Sequence, residues 1–232
     1  MKYTVHRALA MLKTTKARIA RELAEDNMPW VRVARGQEET ISGVAIKDIE
    51  SDIQGRYDRV VALIDNYRKI KAAVVKSNAG VSAEAELYRA RVGGGDYTVA
   101  EIIELMDTIY GREKKPGFKA MLLAKMKKDY VAAQHDFDDM QEQADEEVRQ
   151  YISTLTGRKQ DEEKNSTSKA VVEATSKMLH EQKDPKLIDP LHIAGKIKAL
   201  EQEIEDFRTN ADAVLSEQNA LRTIEVDLTA VE

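Results

Sequence analysis

The side chains best suited to metal or acid–base chemistry lie in the middle of the chain. An acidic cluster around His135 includes Asp136 and Asp139, and His135 and Asp139 are one helical turn apart. Metal sites between helices usually combine carboxylates with a Glu-x-x-His step, and the chain contains no such step. The pattern therefore favours a solvated acidic face, and we expect neither a metal nor another cofactor.

Catalysis by a nucleophile has no support in the sequence. The chain contains no Cys, no Gly-x-Ser-x-Gly element and no His at a recognisable spacing from a Ser. The turn Gly93-Gly94-Gly95-Asp96 precedes a predicted helix and could cradle a phosphate, but it lacks the spacing of dinucleotide-binding and P-loop motifs. We therefore interpret it as a hairpin turn and predict that the protein is not an enzyme.

Two groups of lysines indicate a local site for an anion. One group lies between residues 114 and 128 and the other between residues 69 and 76. If the two groups converge, they would bind a phosphate or nucleotide, with nearby tyrosines available for base stacking. The candidate ligand-binding residues are Lys69, Lys76, Tyr88, Lys125, Lys128 and Tyr130. The alternative is ordinary helix-surface charge, placed favourably near helix C-termini.

Trp30 is the single Trp of the chain. A Trp at the surface is a strong anchor for a partner, so Trp30 is the candidate partner-binding residue. The alternative is that Trp30 belongs to the core of a small sheet, because residues 30–35 alternate in the manner of a strand.

Composition limits the class of protein. Charged residues make up 33% of the 232 residues and aromatic residues only 5%, which is typical of long helices packed along narrow seams. The net charge of −5 argues against general nucleic-acid binding, which needs a basic surface. No apolar run is long enough to span a membrane and no signal-peptide core begins the chain. Together with the lack of Cys, this predicts a cytoplasmic protein.

Hydrophobic spacing of three and four residues predicts the helices. Long seams run through residues 46–76, 118–155 and 191–219, and a shorter amphipathic helix covers residues 4–26. Thr98 and Glu101 form the signature of a capping box at the start of another helix. The predicted fold is mainly α, a long antiparallel coiled coil or helical bundle in a single elongated domain.

Small β elements complete the predicted architecture. Hairpins are expected at about 30–45 and 87–99, and a short strand in residues 221–228 ends the chain. The polar stretch at about 157–166 is the expected break between helices. We expect the hairpins and the terminal strand to gather at one end of the bundle.

Several short stretches of the chain resemble the septicolysin-like family of bacterial and phage-borne coiled-coil proteins. They are the pair Asn78-Ala79, the turn and capped helix from Gly94 to Glu101, and the segment from Asn219 to Glu225. The chain departs from the family in the Trp30 hairpin and the acidic stretch 136–163. The resemblance implies a helical architecture and a microbial or phage origin, and it carries no catalytic residues.

The seams are too long for one chain to bury comfortably, which predicts self-association. The expected function is that of a non-enzymatic, oligomeric interaction protein, phage- or prophage-borne. A more specific version of this function is that of an accessory factor that binds a host defence protein or a small anionic nucleotide. The alternative is a structural component of a virion, so the expected location is the bacterial cytoplasm or the virion.

Overall fold

The structure is a computed structural model that describes residues 4–24, 28–78, 89–92, 95–112, 115–157 and 166–221. Of these residues 79% are helical, and the rest include small two-stranded antiparallel sheets. The prediction of a mainly α fold is confirmed. The polar break and the terminal strand fall mostly on residues 158–165 and 222–228, which lie outside the described residues.

The described residues contain six α-helices and one π-helix. The α-helices are α1 (Val5–Ala24), α2 (Ile46–Asn78), α3 (Val99–Glu104), α4 (Phe118–Gly157), α5 (Ser166–Lys183) and α6 (Ile193–Leu221). The π-helix spans Leu105–Tyr110 and directly continues α3. The strands are β1 (Arg32–Arg35), β2 (Thr40–Ile41), β3 (Val44–Ala45), β4 (Arg89–Val92), β5 (Gly95–Thr98), β6 (Gly111–Arg112), β7 (Lys115–Pro116) and β8 (Pro185–Ile188).

The chain folds into two compact units. Unit 1 comprises Met1–Ala24, Val60–Leu123 and Lys198–Glu232, and unit 2 comprises Glu25–Arg59 and Ala124–Ile197. The sequence pattern indicates no boundary at these positions, because α2, α4 and α6 each continue through one of them.

The apolar seams predicted for the long helices supply much of the core. Ile53 in α2, Met126 in α4 and Phe207 in α6 are each at most 3% exposed. Along α4 the burial of the seam ends at Val148, since Tyr151 and Leu155 are 51% and 40% exposed.

Strand pairing in unit 2 differs from the hairpin expected at 30–45. β1 pairs antiparallel with β8, with Arg32 opposite Ile188 and Arg35 opposite Pro185. Only the second half of the expected segment forms a hairpin, β2 with β3, around a turn in which Ser42 and Gly43 have positive φ. Alternation along a segment indicates a strand but carries no information about a partner so distant in sequence.

The hairpin of unit 1 lies within the segment predicted for it. β4 pairs with β5, with Arg89 opposite Thr98 and Val92 opposite Gly95. The predicted capping box is confirmed: the Thr98 hydroxyl accepts from the Glu101 amide at 3.2 Å, and the Glu101 carboxylate accepts from the Thr98 amide at 2.8 Å. This box begins α3 at the end of β5 and so sets the direction of the helix that follows.

Candidate ligand-binding pocket

Unit 1 contains a partly enclosed, mainly apolar pocket. It lies between the C-terminal half of α2 and the continuous segment β5–α3–π-helix, and the cavity volume is about 120 Å³. This volume is smaller than the range of about 300–1,000 Å³ that is typical of sites for small molecules, so the cavity can enclose one planar group of a ligand while the rest of the ligand stays at its mouth.

The inner surface of the pocket is apolar. Ala72 and Val75 contribute from α2, and Leu105 and Ile109 contribute from the π-helix. Leu105 and Ile109 are 7% and 2% exposed, so they belong to the core as well as to the pocket wall. An apolar body placed here would lose contact with water without leaving a polar group unpaired.

The π-helix shapes one wall of the pocket. Its wider turns place Leu105, Thr108 and Ile109 on the pocket side, and such turns occur frequently at functional sites. The guanidinium of Arg208 donates to the carbonyl oxygens of Tyr110 and Gly111, both at 2.9 Å. These carbonyl groups at the end of the π-helix thus have hydrogen-bond partners. The sequence predicts an ordinary helix ending near Gly111, since a π-turn has no simple periodic signature.

Two tyrosines line the pocket, Tyr67 from α2 and Tyr97 from β5. The Tyr67 ring meets Phe118 edge to face, with ring centroids 5.0 Å apart. Burial raises the pKa of the Tyr67 phenol and the charge of Glu104 raises it further, whereas a hydrogen bond with Thr108 acts in the opposite direction. The phenol is therefore neutral at ordinary pH and can take part in hydrogen bonds.

A chain of polar contacts connects this phenol to the pocket mouth. The Thr108 hydroxyl donates to Glu104 Oε1 at 2.6 Å, and Lys71 Nζ lies 3.3 Å from Glu104 Oε2. The second carboxylate of the wall, Glu101, is held in the capping box. Both carboxylates thus have partners within the pocket wall.

Two further cations stand at the mouth of the pocket. Arg68 Nη2 lies 2.8 Å from Asp65 Oδ1, and Lys69 pairs with the other oxygen of the same carboxylate. The hydrogen bond from Lys69 is the main reason that the pKa of Asp65 is lowered. The side chains of Lys69 and Arg68 are 66% and 43% exposed, and pairs of this kind contribute only about 0.3–0.5 kcal/mol. Both cations can therefore turn toward an anion.

The candidate ligand-binding residues do not form one site. Lys69 lines the pocket, but Lys125 is buried in unit 2, where its Nζ lies 3.3 Å from Asp129. The expectation that Lys125 contacts a ligand is corrected, because an ammonium held by a buried carboxylate is part of the core.

The other candidates lie away from the pocket or outside the described residues. Lys128 is exposed on α4, and the Tyr130 hydroxyl accepts a hydrogen bond from Gln134 at 3.0 Å. Neither lines the pocket. Lys76 belongs to α2, and Tyr88 falls outside the described residues.

Trp30 is a core residue of unit 2. It is 1% exposed, and its ring meets Tyr57 edge to face with centroids 5.8 Å apart. The expectation of a partner-binding anchor is corrected, because the ring offers no surface to a partner. The alternative drawn from the strand pattern describes Trp30 better.

The acidic face around His135 has the geometry expected of solvated charge. His135 Nδ1 lies 3.0 Å from Asp139 Oδ2, and the two side chains are 75% and 58% exposed. Among the residues that the structure describes, no third potential metal ligand joins them.

The sequence did not single out Tyr97, Glu104 or Thr108 as pocket residues. Tyr97 follows the Gly-rich turn by two positions, and Glu104 and Thr108 are four residues apart. These signals are too common to predict a pocket without the position of α2.

Comparison of the chain with family models, curated proteins and solved structures found no match in any of the three. These comparisons do not bear on the resemblance to the septicolysin-like family, which stays a prediction. Within the described part of the chain, every helix is too short or too polar to cross a lipid bilayer.

Proposed function

We propose that the protein is a non-enzymatic helical binding protein whose unit 1 pocket takes a small ligand with an apolar, planar body and an anionic group. The observation that carries this proposal is an apolar cavity lined by two tyrosines, in which the three cations Arg68, Lys69 and Lys71 outnumber the two carboxylates Glu101 and Glu104.

Each part of the pocket suits one part of such a ligand. A planar ring packs against tyrosine faces and aliphatic side chains, and such stacking contributes about 1–3 kcal/mol per base in nucleic-acid sites. An anionic group at the mouth meets Arg68, whose planar guanidinium suits phosphate and carboxylate. A nucleoside monophosphate combines both parts, in line with the small anionic nucleotide expected from the lysine pattern.

Ligand titrations test this proposal. Calorimetry and thermal-shift assays with AMP, GMP and cyclic AMP should show binding, whereas adenosine and inorganic phosphate alone should bind more weakly. A ligand at a hundred times its Kd should stabilise the protein by about 2.7 kcal/mol.

Two variants and a matched control locate the site. Ala72→Phe should fill the pocket and Arg68→Gln should weaken anion binding, while Lys47→Gln, at an exposed lysine of the same helix α2, should bind as the wild type does. The proposal would be abandoned if no probe bound, or if Ala72→Phe left binding unchanged.

Self-association is the second part of the proposed function. Tyr151 and Leu155 continue the seam of α4 past the point where burial ends, and Val171 and Met178, seven residues apart on α5, are 57% and 50% exposed. Side chains at this spacing form one stripe on a helix. We propose that a second copy of the chain covers these residues through coiled-coil packing.

Light scattering tests the oligomer. The wild type should have at least twice the mass of one chain at micromolar concentration, and Tyr151→Glu should shift it toward the monomer. Val131→Glu is the control, because Val131 is 64% exposed on α4 but lies off the seam. A wild type that is strictly monomeric would rule out this part.

The biological setting remains a proposal drawn from the family resemblance. We place the protein in the cytoplasm of a bacterial host as an accessory factor that is phage- or prophage-borne. The alternative is a component of the virion, and mass spectrometry of purified particles distinguishes the two, since an accessory factor should be absent from them.

A further inference from the structure

Unit 2 brings together three side chains that are typical metal ligands. Asp145 lies on α4, His180 on α5, and Asp184 directly after the end of α5. Their ligand atoms all lie within 4.8 Å of one another. His180 Nδ1 is 2.8 Å from Asp184 Oδ1 and 3.9 Å from Asp145 Oδ1, so a nitrogen and two carboxylates converge from two helices.

A fourth side chain points to the centre of this cluster. The amide nitrogen of Gln141, one turn before Asp145, donates to Asp145 Oδ1 at 2.9 Å and to Asp184 Oδ1 at 3.3 Å. An amide can exchange the positions of its nitrogen and oxygen by rotating about its terminal bond. After that rotation Gln141 would present its oxygen to a cation held by the two carboxylates.

The distances suit a transition-metal ion. Bonds of about 2.0–2.2 Å to nitrogen and oxygen place neighbouring ligand atoms about 3.0–3.5 Å apart. The three side chains therefore need to shift by only about 1 Å to coordinate one ion at such bond lengths. Two carboxylates match the charge of a divalent cation, and an imidazole nitrogen favours Zn²⁺, Co²⁺ or Ni²⁺ over Mg²⁺ and Ca²⁺.

Lys183, next to Asp184 in the chain, pairs with a carboxylate outside the cluster. Lys183 pairs with the carboxylate of Glu147, and Arg35 lies 3.9 Å from the same residue. The positive charge of Lys183 is thus partly neutralised by a carboxylate outside the cluster, and Asp145, His180 and Asp184 remain available to an added cation.

We propose that Asp145, His180 and Asp184 form a binding site for a divalent transition-metal ion of the Zn²⁺ class, which cross-links α4 to the end of α5. The bound ion would hold the two helices at the level of residues 145 and 180. The site is independent of the unit 1 pocket and of the proposed function there.

The sequence contains residue spacings that fit this site, but it does not show which two helices meet there. His180 and Asp184 are spaced by four residues, as are Gln141 and Asp145, and each pair lies on one helical face. This spacing differs from that of a Glu-x-x-His step, and pairs four residues apart are common on helices. Only the fold shows that the two pairs face each other.

Zn²⁺ titration tests the proposal. After treatment with EDTA, native mass spectrometry and calorimetry of the wild type should show one equivalent of Zn²⁺ bound, and Zn²⁺ should raise Tm. His180→Ala and Asp184→Asn should each weaken binding by about 10-fold or more. Co²⁺ should give a visible absorption band in the wild type that His180→Ala removes.

The matched control is His135→Ala, which removes a His from α4 that has one carboxylate partner and no third ligand among the described residues. It should bind one equivalent of Zn²⁺ with the affinity of the wild type. Circular dichroism establishes that each variant is folded, and His180→Gln serves if His180→Ala is not. The proposal is overturned if the wild type does not bind Zn²⁺, if the folded His180 variants bind it normally, or if Mg²⁺ or Ca²⁺ binds more tightly.

Discussion

The carboxylate of Asp129 accepts a hydrogen bond from the backbone amide of Trp30 at 2.9 Å, across 99 residues of sequence. The same oxygen lies 3.3 Å from Lys125 Nζ, and that ammonium lies 5.6 Å from the centroid of the Trp30 ring. All three residues are buried. This network joins the segment that leads into β1 to the first third of α4 within the core of unit 2.

Asp129→Ala should lower the free energy of unfolding by about 3–5 kcal/mol, because it leaves a buried ammonium and a buried amide without their carboxylate. Denaturant titration measures the loss. Asp136→Ala, at an exposed site on the same helix, should stay within about 0.5 kcal/mol of the wild type. A similar small change in Asp129→Ala would show that the network contributes little.

Lys125→Glu should act on folding and not on ligand binding. The substitution puts a second carboxylate beside Asp129 in a site where the Lys side chain is only 4% exposed, and like charges there repel strongly. We expect a large drop in Tm, whereas Lys128→Glu, at an exposed position of α4, should change Tm little. Loss of nucleotide binding by a Lys125→Glu protein with normal Tm would contradict this assignment.

Tyr110 makes unit 1 sensitive to alkaline pH. Its ring stacks on Phe207 with centroids 3.8 Å apart, and its hydroxyl donates to Glu203 at 3.1 Å. Burial raises the pKa of the phenol, and the charge of Glu203 raises it further. The folded protein therefore retains a proton that the unfolded chain loses above about pH 10.

Because the folded state binds more protons, stability is fully present below the pKa of an unfolded Tyr and falls as the pH rises above it. Thermal unfolding from about pH 8 to about pH 11.5 should show this fall. Tyr110→Phe keeps the stacked ring and should flatten the decline. Equal profiles for Tyr110→Phe and the wild type would refute the assignment.

Gly111 ends the π-helix in a conformation that other residues rarely adopt. Its φ is +76°, and a Cβ at this position would lie 2.0 Å from the amide nitrogen of Gly117. The close approach of these two glycines accompanies the antiparallel pairing of β6 with β7 just before α4.

Gly111→Ala should destabilise the protein by at least about 2 kcal/mol, since it adds a steric clash to an unfavourable φ. Gly55→Ala is a control that should change the stability in the opposite direction. Gly55 lies inside α2 with open space where a Cβ would stand. Ala at this position should therefore raise the free energy of unfolding by about 0.5–1 kcal/mol. Denaturant titrations of both variants check the prediction, and a neutral Gly111→Ala would show that the turn can relax.

Local signals in the sequence predicted the features that depend on nearby residues. Apolar spacing marked the helices, since residues three and four apart share a helical face. Thr98 and Glu101 marked the start of α3, because a capping box is closed by groups three residues apart. The hairpin of β4 and β5 followed from a Gly-rich turn between two short strands.

Only the tertiary structure decided which distant elements meet. The sequence left open whether Trp30 is exposed or buried, because a strand pattern does not reveal which elements cover the side chains of the strand. The burial of Trp30 depends on Tyr57 and α4. The pocket depends on where α2 passes the π-helix, and the candidate metal site on where α5 returns to α4. Sequence spacing reports contacts within one element, whereas contacts between elements arise from packing that the whole chain determines together.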